Sequence, residues 1–192
     1  MKLYFSPGAC SLADHIALHE GDFEFEWIKV DLKAKTTADG QDFLKINPKG
    51  YVPTLVLDDG AVLTENVAIL NWIADQKPAL APKGGSLIRF RLLEMLAFIS
   101  TELHKQFKPF FSNGPDEAKK VAREQLEKRF AYLKANLKGD FLFETFSVAD
   151  CYLFVMATWA DNVGVKHGLD AYVTKIKSRP AVKMALQHEA EA

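Results

Sequence analysis

The chain has 192 residues, with 24 Lys and Arg against 25 Asp and Glu and a formal net charge of −1; nothing in that balance draws a polyanion, and nucleic-acid binding is not expected. A hydrophobic content of 48%, with 14 Phe, 5 Tyr and 3 Trp, excludes a disordered chain and allows one domain or two small ones. No apolar run approaches the roughly 20 residues a bilayer span needs, and two cysteines, Cys10 and Cys151, make neither a disulfide scaffold nor a zinc-ligand spacing, so no membrane and no metal are expected and a reducing cytoplasm is.

Leu3 to Phe5 predicts a short strand. Pro7-Gly8 and then Asp14 interrupt the hydrophobic start, so no export signal is read. Ser6-Pro7-Gly8 turns the chain into a helix from about Cys10 to Glu20, with Leu12 and Ile16 on one face and Gly21 after its end. Phe23 to Leu32 predicts a second strand, whose apolar positions change parity between Trp27 and Ile28, so that one end is bulged or outside the sheet. A short helix near Asp42 to Ile46 ends at the turn Asn47-Pro48-Lys49-Gly50. Thr54 to Leu57 and Ala61 to Leu63 flank Asp58-Asp59-Gly60, a hairpin signal, and Val67 to Gln76 closes this half as a helix. The crossover of the first β-α-β unit requires a parallel pair, and the hairpin adds antiparallel strands. The expectation is an α/β domain over residues 1–77 with a mixed four-stranded sheet of thioredoxin-like arrangement.

Two prolines and two glycines between Lys77 and Gly85 read as a linker, residues 78–85. Residues 86–192 show no alternating strand and predict an all-helical bundle. Leu87 to about Phe107 is one long helix stopped near Pro109, and Asp116 to about Leu137 is another. Ser147-Val148-Ala149-Asp150 opens a third with a capping box in which Asp replaces Glu or Gln. That helix is apolar almost all round to Trp159, as a central helix is. Two shorter helices, near Asp170 to Ser178 and Pro180 to Gln187, finish the chain.

Cys10 and Ser11 fall at the junction of the first strand and helix, where unpaired amides and the helix dipole favour an anion and are expected to lower a thiol's pKa. The chain lacks the second cysteine of a redox CxxC, although a mixed disulfide with a small thiol remains open. Val52-Pro53 directly precedes a strand. A cis bond there turns the Val52 amide and carbonyl outward as a dock for peptide main chain, whereas an edge-strand proline is the plainer alternative. Glu65 can meet an ammonium and Asn66, at a helix start, can offer amides to a carboxylate, with a simple N-cap as the alternative. His104, late in the long helix, can donate to a thiolate across a domain cleft. His15, His19, His167 and His188 carry no comparable context.

The stretches Met1-Lys2-Leu3-Tyr4, Pro7-Gly8-Ala9-Cys10-Ser11-Leu12, Asn47-Pro48-Lys49-Gly50 with Val52-Pro53, Leu63-Thr64-Glu65, Glu102-Leu103-His104-Lys105, Phe146-Ser147-Val148-Ala149-Asp150 and Arg179-Pro180 together resemble the glutathione transferases, specifically the bacterial beta class. The resemblance implies a cytoplasmic homodimer that binds glutathione as co-substrate, without a metal, and transfers it to a small hydrophobic electrophile in detoxification. It implies Cys10 beside the glutathione sulfur, Ser11 and His104 hydrogen-bonding near that sulfur, the Val52 backbone with Pro53 gripping the cysteinyl unit, Glu65 and Asn66 the γ-glutamyl group, and Lys35 the glycine carboxylate. The capping box is, by the same resemblance, a folding element. Tyr51 stands where the class usually has Gln and reshapes the wall of the glutathione pocket. Asn66 stands where Gly or Ser is commoner, and Ala97 replaces an Asn that in relatives reaches glutathione from the neighbouring subunit. The loop Phe143-Glu144-Thr145 looks shortened. Two other activities stand beside transfer: a glutathione-dependent thiol-disulfide oxidoreductase or peroxidase using Cys10, and a non-enzymatic ligand- or partner-binding protein on the same fold.

Overall fold

The computed structural model describes residues 1–83 and 85–192; Gly84 of the expected linker lies outside the described residues. The chain forms two compact units, one of Met1–Leu80 with Arg179–Ala192 and one of Ala81–Ser178.

In the first unit, β1 (Lys2–Phe5) leads through a turn to α1 (Leu12–Glu20), then β2 (Glu26–Asp31), β3 (Thr36–Thr37), a single 3-10 turn at Phe43–Lys45, β4 (Thr54–Val56), β5 (Val62–Thr64) and α2 (Asn66–Gln76). The strand order is β3-β2-β1-β4-β5. β1 runs parallel to β2, with Leu3 opposite Trp27, and antiparallel to β4, with Leu3 opposite Leu55. The sheet is mixed, as expected, but it has five strands rather than four. The added strand pairs Thr36 and Thr37 with Asp31 and Val30. Two residues are too few to display an alternating pattern. The tight turn before them sets the pairing instead: the Asp31 carboxylate accepts the Lys33 and Ala34 amides at 2.8 Å, and Lys35 takes φ 59°. Phe23 to Phe25 lie ahead of β2, so it is the N-terminal end of the predicted strand that falls outside the sheet, an end the pattern did not single out.

Alternation places Tyr4 on one face with Val30, Phe43 and Val52, a cluster flanked by Ile28, Ile46 and Val56. Leu3 and Phe5, on the other face, are fully buried, as are Ile16, Ile69, Leu70 and Ile73 of the two helices. Every residue of α1 from Leu12 to Leu18 is buried, Asp14 and His15 included, because α1 packs against both α2 and the last helix, α8 (Pro180–Glu191). The sequence groups α8 with the bundle, whereas its contacts put it in the first unit.

In the second unit the long helix is α3 (Ser86–Phe98), followed without a break by a π segment at Ile99–Leu103, a 3-10 turn at His104–Phe107 and a short α4 (Lys108–Phe111). Pro109 does not stop it. A proline in the first turn of α4 forfeits no helical N–H bond, and the path ends only at Asn113, at φ 51°. Then come α5 (Asp116–Ala135), α6 (Val148–Asn162) and α7 (Asp170–Lys177). α6 is buried almost throughout and carries the expected reciprocal bonds between Ser147 and Asp150.

Candidate functional site

Cys10 sits just before α1, 9% exposed, and its thiol donates to the Val52 carbonyl at 3.7 Å. The peptide bond between Val52 and Pro53 is cis. The expected depression of the thiol pKa is not what this surrounding produces. Burial, with a further contribution from Asp14, pushes Cys10 up to about 12, outweighing the neighbouring amides that favour the thiolate. Cys10 is therefore a protonated S–H at neutral pH and acts as a hydrogen-bond donor. Ser11 is fully buried. Its hydroxyl faces the preceding turn, accepting the Ser6 amide at 3.3 Å and donating to the Ser6 carbonyl at 3.5 Å.

Asn66, the first residue of α2, turns its side chain inward and donates to the Cys10 carbonyl at 2.9 Å and to Asp14 Oδ2 at 2.8 Å. Only its backbone is left for the role a helix start provides. Asp14 is fully buried, and burial holds its carboxyl well above the usual range. Glu65 precedes α2 with φ 75°, a conformation that costs a non-glycine residue about 1–3 kcal/mol and is found where a site holds it in place. Its carboxylate accepts Tyr51 Oη at 2.6 Å and Lys49 Nζ at 2.7 Å, and Lys49 also donates to Thr64 Oγ1 at 2.8 Å. The carboxylate raises the pKa of both partners, chiefly through these hydrogen bonds. Lys35 reaches the same neighbourhood from the turn before β3, donating to the Gly50 carbonyl at 2.6 Å.

The first unit thus brings together Cys10, Val52, Pro53, Glu65, Asn66, Tyr51 and Lys35. Lys49 and Asp14 join these seven and are not among the site residues that the sequence points to. Lys49 was seen only as part of a turn. Asp14, four residues beyond Cys10 and so on its helix face, carried a spacing signal that could have found it.

His104 belongs to the second unit and is described within it. It follows the π segment, an irregularity that frequently marks functional positions. Its Nδ1 is hydrogen-bonded to Tyr152 Oη at 2.7 Å, and its ring meets Trp159 edge-on at 4.9 Å. Burial, with a smaller effect of Lys105, lowers its pKa to about 4, so the ring is neutral at physiological pH. It lines a cavity of 560 Å³ with Lys105, Lys108, Phe111 and Ser112. Of the three phenylalanines nearby, Phe107 is fully buried in the core and Phe111 is 56% exposed at the cavity, while Phe110 stacks under Arg123 at 5.6 Å.

Two family models match the chain, and the second of them runs through residue 187 and so takes in most of α8. Residues 9–76 match the family described as Glutathione S-transferase, N-terminal domain, and residues 116–187 the family described as Glutathione S-transferase, C-terminal domain. The chain is 43% identical over 200 residues to Glutathione S-transferase GstA of Escherichia coli O157:H7, covering 98% of each. Among solved structures, a sphingomonad glutathione S-transferase complexed with glutathione is 51% identical over the whole of both chains, with a TM-score of 0.93. A bacterial beta class glutathione S-transferase of Sphingomonas chungbukensis is 48% identical over 98% of each, with a TM-score of 0.91.

Proposed function

The chain belongs to the glutathione S-transferase family and falls with its bacterial beta class, and we propose that its own residues bind glutathione in the first unit and activate the thiol for transfer to small hydrophobic electrophiles. One observation carries this reading: an unbroken run of contacts links Tyr51 and Lys49 to Glu65, then Asn66 to Cys10, and Cys10 to the Val52 carbonyl. A carboxylate and a helix start lie at one end, matching the ammonium and carboxylate of a γ-glutamyl group. A main-chain carbonyl and a thiol lie at the other, matching a cysteinyl unit. Lys35 is the cation for the glycine carboxylate. Tyr51, in place of the usual Gln, takes a share of the Glu65 carboxylate that the ligand's ammonium then competes for.

The reaction asks little of the protein beyond charge stabilisation. The glutathione thiol loses its proton to solvent, its thiolate forms the S–C bond, and the electrophile's leaving group departs with its electron pair. Each pKa unit by which the thiol is lowered corresponds to about 1.4 kcal/mol, within reach of one or two hydrogen bonds to a charged acceptor. Cys10, protonated, supplies one donor, and Ser11 acts by holding the turn before Cys10. The cavity beside His104 and Phe111 is assigned to the electrophile. A thiol raised to about 12 makes Cys10 a poor nucleophile, which favours transfer over a disulfide- or peroxide-reducing activity through this residue. Residues Leu87, Phe90 and Leu93 form an exposed apolar row on α3, at 68, 65 and 41%, which supports association as a homodimer. Two free cysteines and, among the described residues, no helix long and apolar enough to cross a membrane fit a cytoplasmic enzyme.

Conjugation of glutathione to an activated aryl halide tests the assignment. Cys10→Ala removes one neutral donor, so kcat falls by no more than about tenfold, while Glu65→Ala raises KM for glutathione by about tenfold or more through loss of a charged contact. Abolition of conjugation in Cys10→Ala, or an unchanged KM in Glu65→Ala, would overturn it.

A further inference from the structure

His15 and His19 stand four residues apart on α1 and share one face. His188, on α8, comes to meet them. Nε2 of His19 lies 3.3 Å from Nδ1 of His188, and that same Nδ1 lies 3.4 Å from Nε2 of His15. The three nitrogens are all within 4.8 Å of one another. A hydrogen bond joins two of them and leaves the third aimed at the same point. A tetrahedral ion with metal–nitrogen bonds of about 2.0–2.1 Å spaces its ligands about 3.3–3.4 Å apart, the separation found along both measured edges.

We propose that His15, His19 and His188 form a binding site for a divalent transition ion of the zinc type, with a fourth position left for water. Imidazole donors suit zinc, nickel and copper rather than magnesium or calcium. A second observation points the same way. His15 Nδ1 and Glu189 Oε1 are buried and, among the described residues, lack hydrogen-bond partners, yet they face each other at 3.7 Å. An ion on Nε2 fixes the His15 proton on Nδ1 and directs it to that carboxylate, the usual arrangement behind a metal-bound histidine. The other Glu189 oxygen accepts the Gly8 amide at 2.8 Å, two residues ahead of Cys10. The rings are also held in orientation: His188 stacks on Trp27 at 3.9 Å and 7°, and His15 meets Phe25 edge-on at 5.6 Å. A cleft of 550 Å³ lined by His19, Pro180 and Met184 gives an ion a way in. The site is structural, joining α1 to α8, and takes no part in conjugation.

The test uses the full chain without a polyhistidine tag, stripped with chelator and free of glutathione. Titration with Co²⁺ is expected to give the visible bands of a tetrahedral ion at one per chain, bleached by Zn²⁺. Zinc at a hundred times its Kd is expected to raise the melting temperature by roughly 5–10 °C. His188→Phe keeps a ring against Trp27 but removes the donor, and loses both signals; His19→Gln, at a partly exposed position, is the second variant and loses them too. His104 and His167 remain in each. Absence of the cobalt bands and of any thermal shift at millimolar metal, or wild-type binding by either folded variant, overturns the proposal.

Discussion

Cys10 and His104 show how far a side chain's chemistry departs from its position in the chain. Both stand where the sequence places them, at the start of α1 and late in the long helix, and those positions are local facts. Their protonation is not. A thiol at a helix start reads as acidic, yet enclosure beside Val52 and Asp14 raises it to about 12, because desolvation depends on residues 42 positions away. His104 is the mirror case, lowered to about 4 mainly by burial. Above its ordinary value near 6.5 the imidazole is neutral in both folded and unfolded chains. As pH falls from there toward 4 the unfolded chain takes a proton that the folded chain refuses, so stability is lost on the acid side. At pH 5 the loss comes to about 2 kcal/mol. Urea unfolding of wild type and His104→Gln at pH 7.5 and pH 5 isolates it, since the buried Asp14, Asp150 and His19 titrate alike in both; the wild type is expected to lose about 2 kcal/mol more than the variant. Equal losses would mean that His104 is charged in the folded protein.

At the scale of elements, legibility followed how local the determining contacts are. The Ser147–Asp150 box was readable because all its atoms lie within one turn, and so was the hairpin at Asp58-Asp59-Gly60, where Gly60 takes φ 86°. β3 was not, since two residues carry no period. The triad of His15, His19 and His188 was missed because its third member comes from the far end of the chain, although the spacing of the first two on α1 was visible. Asp150 reaches beyond its own box: its carboxylate accepts the Ser147 amide and hydroxyl, the Leu142 amide at 2.9 Å and Tyr172 Oη at 3.1 Å. One buried group therefore ties the loop before α6, the start of α6 and α7 together. Asp150→Ala strands several buried donors at about 1–3 kcal/mol each, so a loss of at least about 3 kcal/mol is expected, against about 1 kcal/mol for Ser147→Ala, which removes only the cap. Chemical denaturation at pH 7.5 checks the order. Equal losses would reduce Asp150 to a helix cap.

For the molecule as a whole, the division into units is the feature the sequence conceals. Composition changes once, near the prolines after Lys77, and everything beyond reads as helix, so α8 falls naturally with the bundle. Its partners are elsewhere. Val182 and Ala185 are fully buried in a helix that packs on α1, Arg179 grips the nearly buried Glu20 with two bonds of 2.5 and 2.7 Å, and Glu189 holds the Gly8 amide. A chain ending at Ser178 would keep every residue of the second unit while uncovering the face of α1 that carries His15 and His19. Burial of a valine side chain alone is worth about 1.5–3 kcal/mol, and Ala185, Ala181 and the ring of His188 leave with it, along with the Arg179–Glu20 pair. Together these rival the 5–15 kcal/mol that holds a typical domain folded. Hydrogen exchange on the shortened chain is therefore expected to show the α1 amides losing their protection while those of α6 retain it. If α1 stays protected, its stability comes from the sheet and α2 alone, and α8 is only a cover.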